Sequence, residues 1–195
     1  MYEFFQSAVV RKEHKGEFRN EILKPDLLMK VLDFGCGTGS HSQLFNSGEY
    51  LGIEPLESCI AVANKKYSSY DTKFQLGNHT ALKSLPADSF DLVFAIGVLH
   101  HIDNKIFSEF AREAFRLLKP GARLTTFDPV FHSEQSKCSE WVVKQDRGEW
   151  VRTESEYTDV IGSVFPGTIE TKIYSKLLRI PYDHIVINAF KNLSD

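Results

Sequence analysis

The chain has 195 residues, 42% hydrophobic and 25% charged, the composition and length of one water-soluble globular domain. Its 23 basic and 26 acidic side chains leave a formal net charge of −3, so no general attraction to nucleic acid or to an anionic membrane is expected. Three widely spaced cysteines, Cys36, Cys59 and Cys138, make neither a disulfide framework nor a metal knuckle, which points to a reducing, cytoplasmic compartment and to no metal.

Residues 1–28 read as a leading helical segment, too charged for a signal peptide. Short runs of branched and aromatic residues at 30–34, 50–53, 73–76, 90–96 and 123–127 then read as buried strands. Helical spacing separates them, at 56–67 and most clearly at 104–118, where Asp103 is a candidate N-cap and Lys119-Pro120-Gly121 a terminator. The longest apolar run, residues 92–99, is far below the ~20 residues of a membrane-spanning helix.

Alternating strands and helices imply right-handed crossovers and a parallel sheet covered on both faces. Residues 131–157 break that rhythm and read as a partly helical, lid-like insertion without a strand, carrying Trp141, Asp146, Arg147, Trp150 and Arg152. Two Trp rings in such a segment are more often core than ligand contacts. Strand-like runs at 168–178 and 184–190 follow, joined by so short a link that they must run antiparallel. The expectation is a single α/β domain over 1–195: a Rossmann-like three-layer αβα sandwich whose seven-stranded mixed sheet ends in an antiparallel strand.

After the first strand stands Asp33-Phe34-Gly35-Cys36-Gly37-Thr38-Gly39-Ser40. Alternate glycines allow a sharp turn and bring backbone N–H groups against a ligand without side-chain obstruction. A dinucleotide loop, G-x-G-x-x-G, would need glycine where Ser40 or Ser42 stands, so a pyrophosphate seat is disfavoured. The string instead resembles the D-x-G-x-G-x-G loop of class I S-adenosylmethionine-dependent methyltransferases. Gly52-Ile53-Glu54-Pro55, Ser89-Phe90-Asp91-Leu92-Val93, Gly97-Val98-Leu99-His100-His101-Ile102 and Arg116-Leu117-Leu118-Lys119-Pro120-Gly121 extend the resemblance over about residues 29–128.

That resemblance implies S-adenosylmethionine as cofactor and methyl transfer to a small-molecule acceptor, a hydroxyl being one option; the charge balance adds the expectation of neither nucleic acid nor membrane as partner. It places Asp33, Gly35, Cys36, Gly37, Glu54, Pro55, Asn78, His79, Ile96 and Gly97 around the cofactor. Glu54 would accept from both ribose hydroxyls. Asp33 would fix the loop by accepting backbone N–H bonds and would face the methionine ammonium. Asn78 stands where the family often has an acid accepting from the adenine amino group, and Ala81 and Leu82 would pack near that ring.

His100 and His101, just past the fourth strand, are candidate general bases. Asp128, at the end of the fifth strand, either points into the acceptor site or begins a turn; if the sixth strand is parallel to the first five, Arg179, Tyr182 and His184 border the acceptor pocket. The absence of an [ND]-P-P-[YFW] string at Ala95-Ile96-Gly97-Val98 argues against methylation of base or glutamine amino groups. Two other readings stay open: a non-catalytic module that binds S-adenosylmethionine, and a nicotinamide-dependent oxidoreductase.

Overall fold

A computed structural model describes residues 22–25, 28–45, 48–175 and 180–194. Residues 1–21 of the leading segment, and Arg179, lie outside them.

The order of elements is β1 (Val31–Phe34), β2 (Tyr50–Glu54), α1 (Glu57–Tyr67), β3 (Thr72–Leu76), β4 (Phe90–Ile96), α2 (Asn104–Leu117), β5 (Leu118–Phe131), α3 (Lys137–Lys144), β6 (Arg152–Thr153), α4 (Glu154–Gly162), β7 (Ile169–Tyr174) and β8 (His184–Phe190). The sheet runs β3-β2-β1-β4-β5-β8-β7. β1 to β5 are mutually parallel, and β8 is antiparallel to both β5 and β7, which makes β7 parallel to β5. From β1 in the middle of the sheet the chain winds outward to β3 and returns beside β1 with β4. That reversal between β1 and β4 is the point where open α/β sheets hold ligands, beyond the carboxyl ends of the strands.

Side-chain alternation assigns the two faces. Leu32, Phe34, Val93 and Ala95 point to the layer holding Phe107, Phe110, Ala114 and Leu117 of α2 and Tyr157 and Ile161 of α4. Val31, Leu92, Phe94 and Ile96 pack on the opposite face with Ile22, Leu23 and Phe45. Asp103 caps α2 as its position predicts, its Oδ1 accepting from the Ile106 N–H at 2.8 Å.

Two expectations for residues 131–157 change. A two-residue strand, β6, pairs in parallel with Val130 and Phe131 at the tip of β5. Both indoles lie outward, Trp141 at 63% exposure and Trp150 at 41%, because the segment is anchored by polar contacts rather than by its rings. Among the described residues no helix is long and apolar enough to cross a membrane.

Candidate functional site

The glycine loop leaves β1 through three left-handed residues, Gly35 (φ 76°), Gly37 (φ 53°) and Gly39 (φ 83°), a path that a side chain would strain. A Cβ on Gly35 would stand 2.4 Å from Val98 Cγ2, whereas one on Gly37 would meet nothing within 4 Å. Close packing therefore forces the first glycine, while the second, Gly37, opens the loop backbone to a ligand's approach.

The loop's N–H groups are not all directed outward. Gly35 and Cys36 both donate to the Ile53 carbonyl, at 2.8 and 3.2 Å. Gly37 donates to Glu54 Oε2 at 3.1 Å, and the other oxygen of Glu54 accepts from Leu56 N–H, also at 3.1 Å. Glu54 is thus the group that ties the loop to β2, a role expected of Asp33. Its buried carboxyl is raised above the ordinary carboxylate range by desolvation, against the two backbone donors that lower it. Pro55 follows on the exposed rim.

Asp33, one residue before the end of β1, is 1% exposed. No loop N–H reaches it. Tyr50 donates its hydroxyl to Oδ2, His41 Nδ1 stands 3.4 Å from the same atom, and Oδ1 has no hydrogen-bond partner among the described residues. The Cys36 thiol is buried against β2, where desolvation pushes its pKa up, so it is inert and only its backbone borders the loop.

Asn78 Oδ1 accepts from Thr80 N–H at 2.9 Å and Thr80 Oγ1 at 2.8 Å, capping the short 3-10 turn His79–Ser84. The carbonyl expected to serve an adenine amino group is therefore already engaged, and the amide NH2 is what remains. His79 turns toward α2, with Nε2 3.2 Å from Glu109. Leu82 is wholly core, so of the pair at 81 and 82 only Ala81 borders this edge.

On the other side of the switch point, Ile96 is buried, and Gly97 donates its N–H to Phe127 O at 2.7 Å. The next turn presents two unlike histidines. His100 is buried: Nδ1 lies 2.8 Å from Asp128 Oδ1, which also accepts the His100 backbone N–H at 3.2 Å, and Nε2 stands 3.4 Å from Asp146 Oδ1. His101 is exposed, its ring 3.9 Å from that of His100, and desolvation and His100 lower its pKa, leaving it neutral at pH 7.

The structure brings Asp128, Tyr182 and His184 together with this pair. Tyr182 donates its hydroxyl to Asp146 Oδ2, and His184 stacks on Phe127 at 4.5 Å. Burial lowers the His184 pKa to about 4, so it too is neutral. Asp146 joins the cluster although it was singled out only as part of a charged lid. Its signal is the turn-forming Asp146-Arg147-Gly148, where Gly148 packs so tightly on His100 that a Cβ would lie 2.2 Å from its ring.

Arg152, one of the charges carried by the insertion, is structural. Its guanidinium donates to the carbonyls of Leu99, Ile102 and Trp150 and to Asn104 Oδ1, all at 2.8–2.9 Å, and so holds the histidine turn. A groove of about 880 Å³ between the tip of β5, α4 and β7, lined by Phe131, His132, Glu154 and Thr171 among others, shares none of the candidate site residues.

Residues 32–126 match the family model described as "Methyltransferase domain". The chain carries a class I methyltransferase domain. It is 31% identical over 124 residues to the sterol 24-C-methyltransferase of Aspergillus fumigatus, which covers 60% of this chain and 31% of that protein. It is 34% identical over 103 residues to the tRNA U34 carboxymethyltransferase of Hydrogenovibrio crunogenus, covering 49% of this chain and 30% of that one. The chain therefore spans about a third of the length of these curated relatives. The fold of the [4+2]-cyclase SpnF superposes with a TM-score of 0.72 at 17% identity, over 91% of this chain and 80% of that one.

Proposed function

We propose that this methyltransferase domain binds S-adenosylmethionine at the β1–β2–β4 edge and transfers its methyl group to a small-molecule acceptor. The observation that carries the reading is the pairing of an open-faced Gly37 with two buried carboxylates, one of which, Asp33, keeps an oxygen free of any donor among the described residues. A buried, unpartnered carboxylate oxygen is costly and fits a cationic or N–H-donating ligand.

The residues present fit the cofactor. Asp33 Oδ1 would receive the methionine ammonium. Glu54 would accept from the ribose hydroxyls with the lone pairs left by Gly37 and Leu56, and the Asn78 amide would donate to a ring nitrogen of adenine. Bound there, the cofactor supplies a methyl group already activated by a sulfonium, so the protein needs no metal and no covalent intermediate. What the chain contributes is alignment and dryness. Holding two reactants in line is worth several kcal/mol, and the insertion packed over His100 keeps water from the acceptor side.

The two relatives take, by their names, a sterol and a tRNA. A net charge of −3 offers little for a polyanion, which supports a small acceptor over RNA. Cys36, Cys59 and Cys138 are free thiols, which fits a cytoplasmic protein of one domain.

Calorimetric titration tests the reading. S-adenosylhomocysteine is expected to bind and NADH is not, and Glu54→Gln is expected to weaken S-adenosylhomocysteine by about 10- to 100-fold, the cost of losing one charge-assisted pair of hydrogen bonds. A chain that binds NADH and ignores S-adenosylhomocysteine is an oxidoreductase instead. Binding without turnover over a broad acceptor panel is the signature of a regulatory module.

A further inference from the structure

Asp128 lies one strand beyond the cofactor edge. The Gly97 N–H bonded to Phe127 O sets the end of β5 beside the end of β4, so Asp128 emerges next to Gly97. Its carboxylate, at 1% exposure, is used asymmetrically. Oδ1 accepts twice from His100, while Oδ2 has no hydrogen-bond partner among the described residues. Buried polar atoms are nearly always bonded, and exceptions concentrate where chemistry is done.

The histidine beside it has neither ring nitrogen free to face a substrate. His100 has Asp128 on Nδ1 and Asp146 on Nε2, and Tyr182 in turn holds Asp146. The run Tyr182–Asp146–His100–Asp128 draws the insertion and the start of β8 onto the end of β5 and fixes how the Asp128 carboxylate faces. His100 is thus a positioning residue.

Resting on the methyl-transfer reading above, we infer that Asp128 Oδ2 is the proton acceptor of the reaction and that the acceptor substrate is a protic nucleophile, an alcohol or an amine. The acceptor's O–H or N–H proton passes to Oδ2, turning the carboxylate into a carboxylic acid. The electron pair so freed makes the new bond to the methyl carbon, and the carbon–sulfur bond breaks with its pair remaining on sulfur. The proton then leaves Asp128 for solvent. An alkene carbon, which has no proton to surrender before attack, is not served by such a group.

The test needs no knowledge of the acceptor. Sinefungin replaces the methylated sulfonium by an amine-bearing carbon and so presents N–H donors at the point of transfer, whereas S-adenosylhomocysteine presents none. The wild-type chain is expected to bind sinefungin at least about tenfold more tightly than S-adenosylhomocysteine, the ratio of one charge-assisted hydrogen bond. Asp128→Asn is expected to abolish that preference and leave S-adenosylhomocysteine affinity within about twofold. His101→Gln is expected to keep it.

A preference that survives Asp128→Asn, or that is missing from the wild type while S-adenosylhomocysteine binds, overturns the assignment and leaves the methyltransferase reading standing. Failure of S-adenosylhomocysteine to bind the wild type overturns that reading first. If the Asn variant does not fold, a crystal structure of the wild type with sinefungin decides. Its amine within hydrogen-bond distance of Oδ2 supports the assignment, and its amine on another side chain refutes it.

Discussion

His184 shows how much a single buried ring decides at the acceptor side. Its plane lies 7° from that of Phe127, with Nδ1 on the Tyr182 carbonyl at 2.9 Å, so the neutral tautomer donates to the backbone while the face stacks. Desolvation lowers its pKa from 6.5 to about 4, outweighing the carbonyl that favours the charged form. The folded state therefore binds a proton less readily than the unfolded chain. Stability from this group is complete above pH 6.5 and is lost as pH falls toward 4. Between pH 7 and 5 the loss is about 2 kcal/mol. Urea unfolding at the two pH values should show that drop in the wild type and, in His184→Gln, a drop smaller by roughly the same amount; equal slopes would mean the ring is protonated in the fold.

At the scale of elements, periodicity made most of the domain legible. β1 to β5 were readable as short runs of branched and aromatic residues and α1 and α2 from helical spacing, and Asp103 marked the start of α2 in the sequence as it does in the fold. The insertion was not legible, and the reason is physical. β6 is two residues long and exists only because Val130 and Phe131 offer it a partner, so no pattern within Arg152-Thr153 could announce it. The start of α4 did carry a local signal, the Thr153-Glu154-Ser155-Glu156 capping box, with Thr153 Oγ1 and Glu156 Oε2 bonded reciprocally to backbone N–H groups. Loop contacts were misassigned for a related reason: whether Asp33 or Glu54 receives the Gly37 N–H depends on the register of β1 against β2, which no single segment encodes. Arg152 makes the point energetically. Replacing it by Met leaves the carbonyls of Leu99, Ile102 and Trp150 and the Asn104 amide oxygen without their buried donor. Unfolding by urea should register a loss of about 3–5 kcal/mol. Arg152→Lys should recover only part of that, because one ammonium cannot span the same fork of acceptors. A loss under about 1 kcal/mol would show that water replaces the guanidinium easily.

For the molecule as a whole, the ligand edge is assembled from segments far apart in the chain: β1 with its glycine loop, the end of β2, the turn after β4, and the end of β5 held to β8. Their shared dependence on a central parallel sheet means that whatever binds the edge stabilises the sheet, since ordering any one loop costs less once its neighbours are fixed. A ligand that binds only the folded chain adds RT ln(1 + [L]/Kd), about 2.7 kcal/mol at a hundredfold excess over Kd. For a chain of this length each kcal/mol raises the unfolding midpoint by about 2–4 °C. S-adenosylhomocysteine at that excess should therefore raise Tm by about 5–10 °C, and NADH at the same concentration should leave it unchanged. The rise should also be shared. Scanning calorimetry should show one transition moving intact, with the β5–β8 half of the sheet protected as much as the β1–β2 half that touches the ligand, because the crossovers leave no strand able to melt by itself. A transition that splits, its first part unmoved by S-adenosylhomocysteine, would mean that β7, β8 and the insertion form a separately melting unit and that the acceptor side is not coupled to the cofactor side.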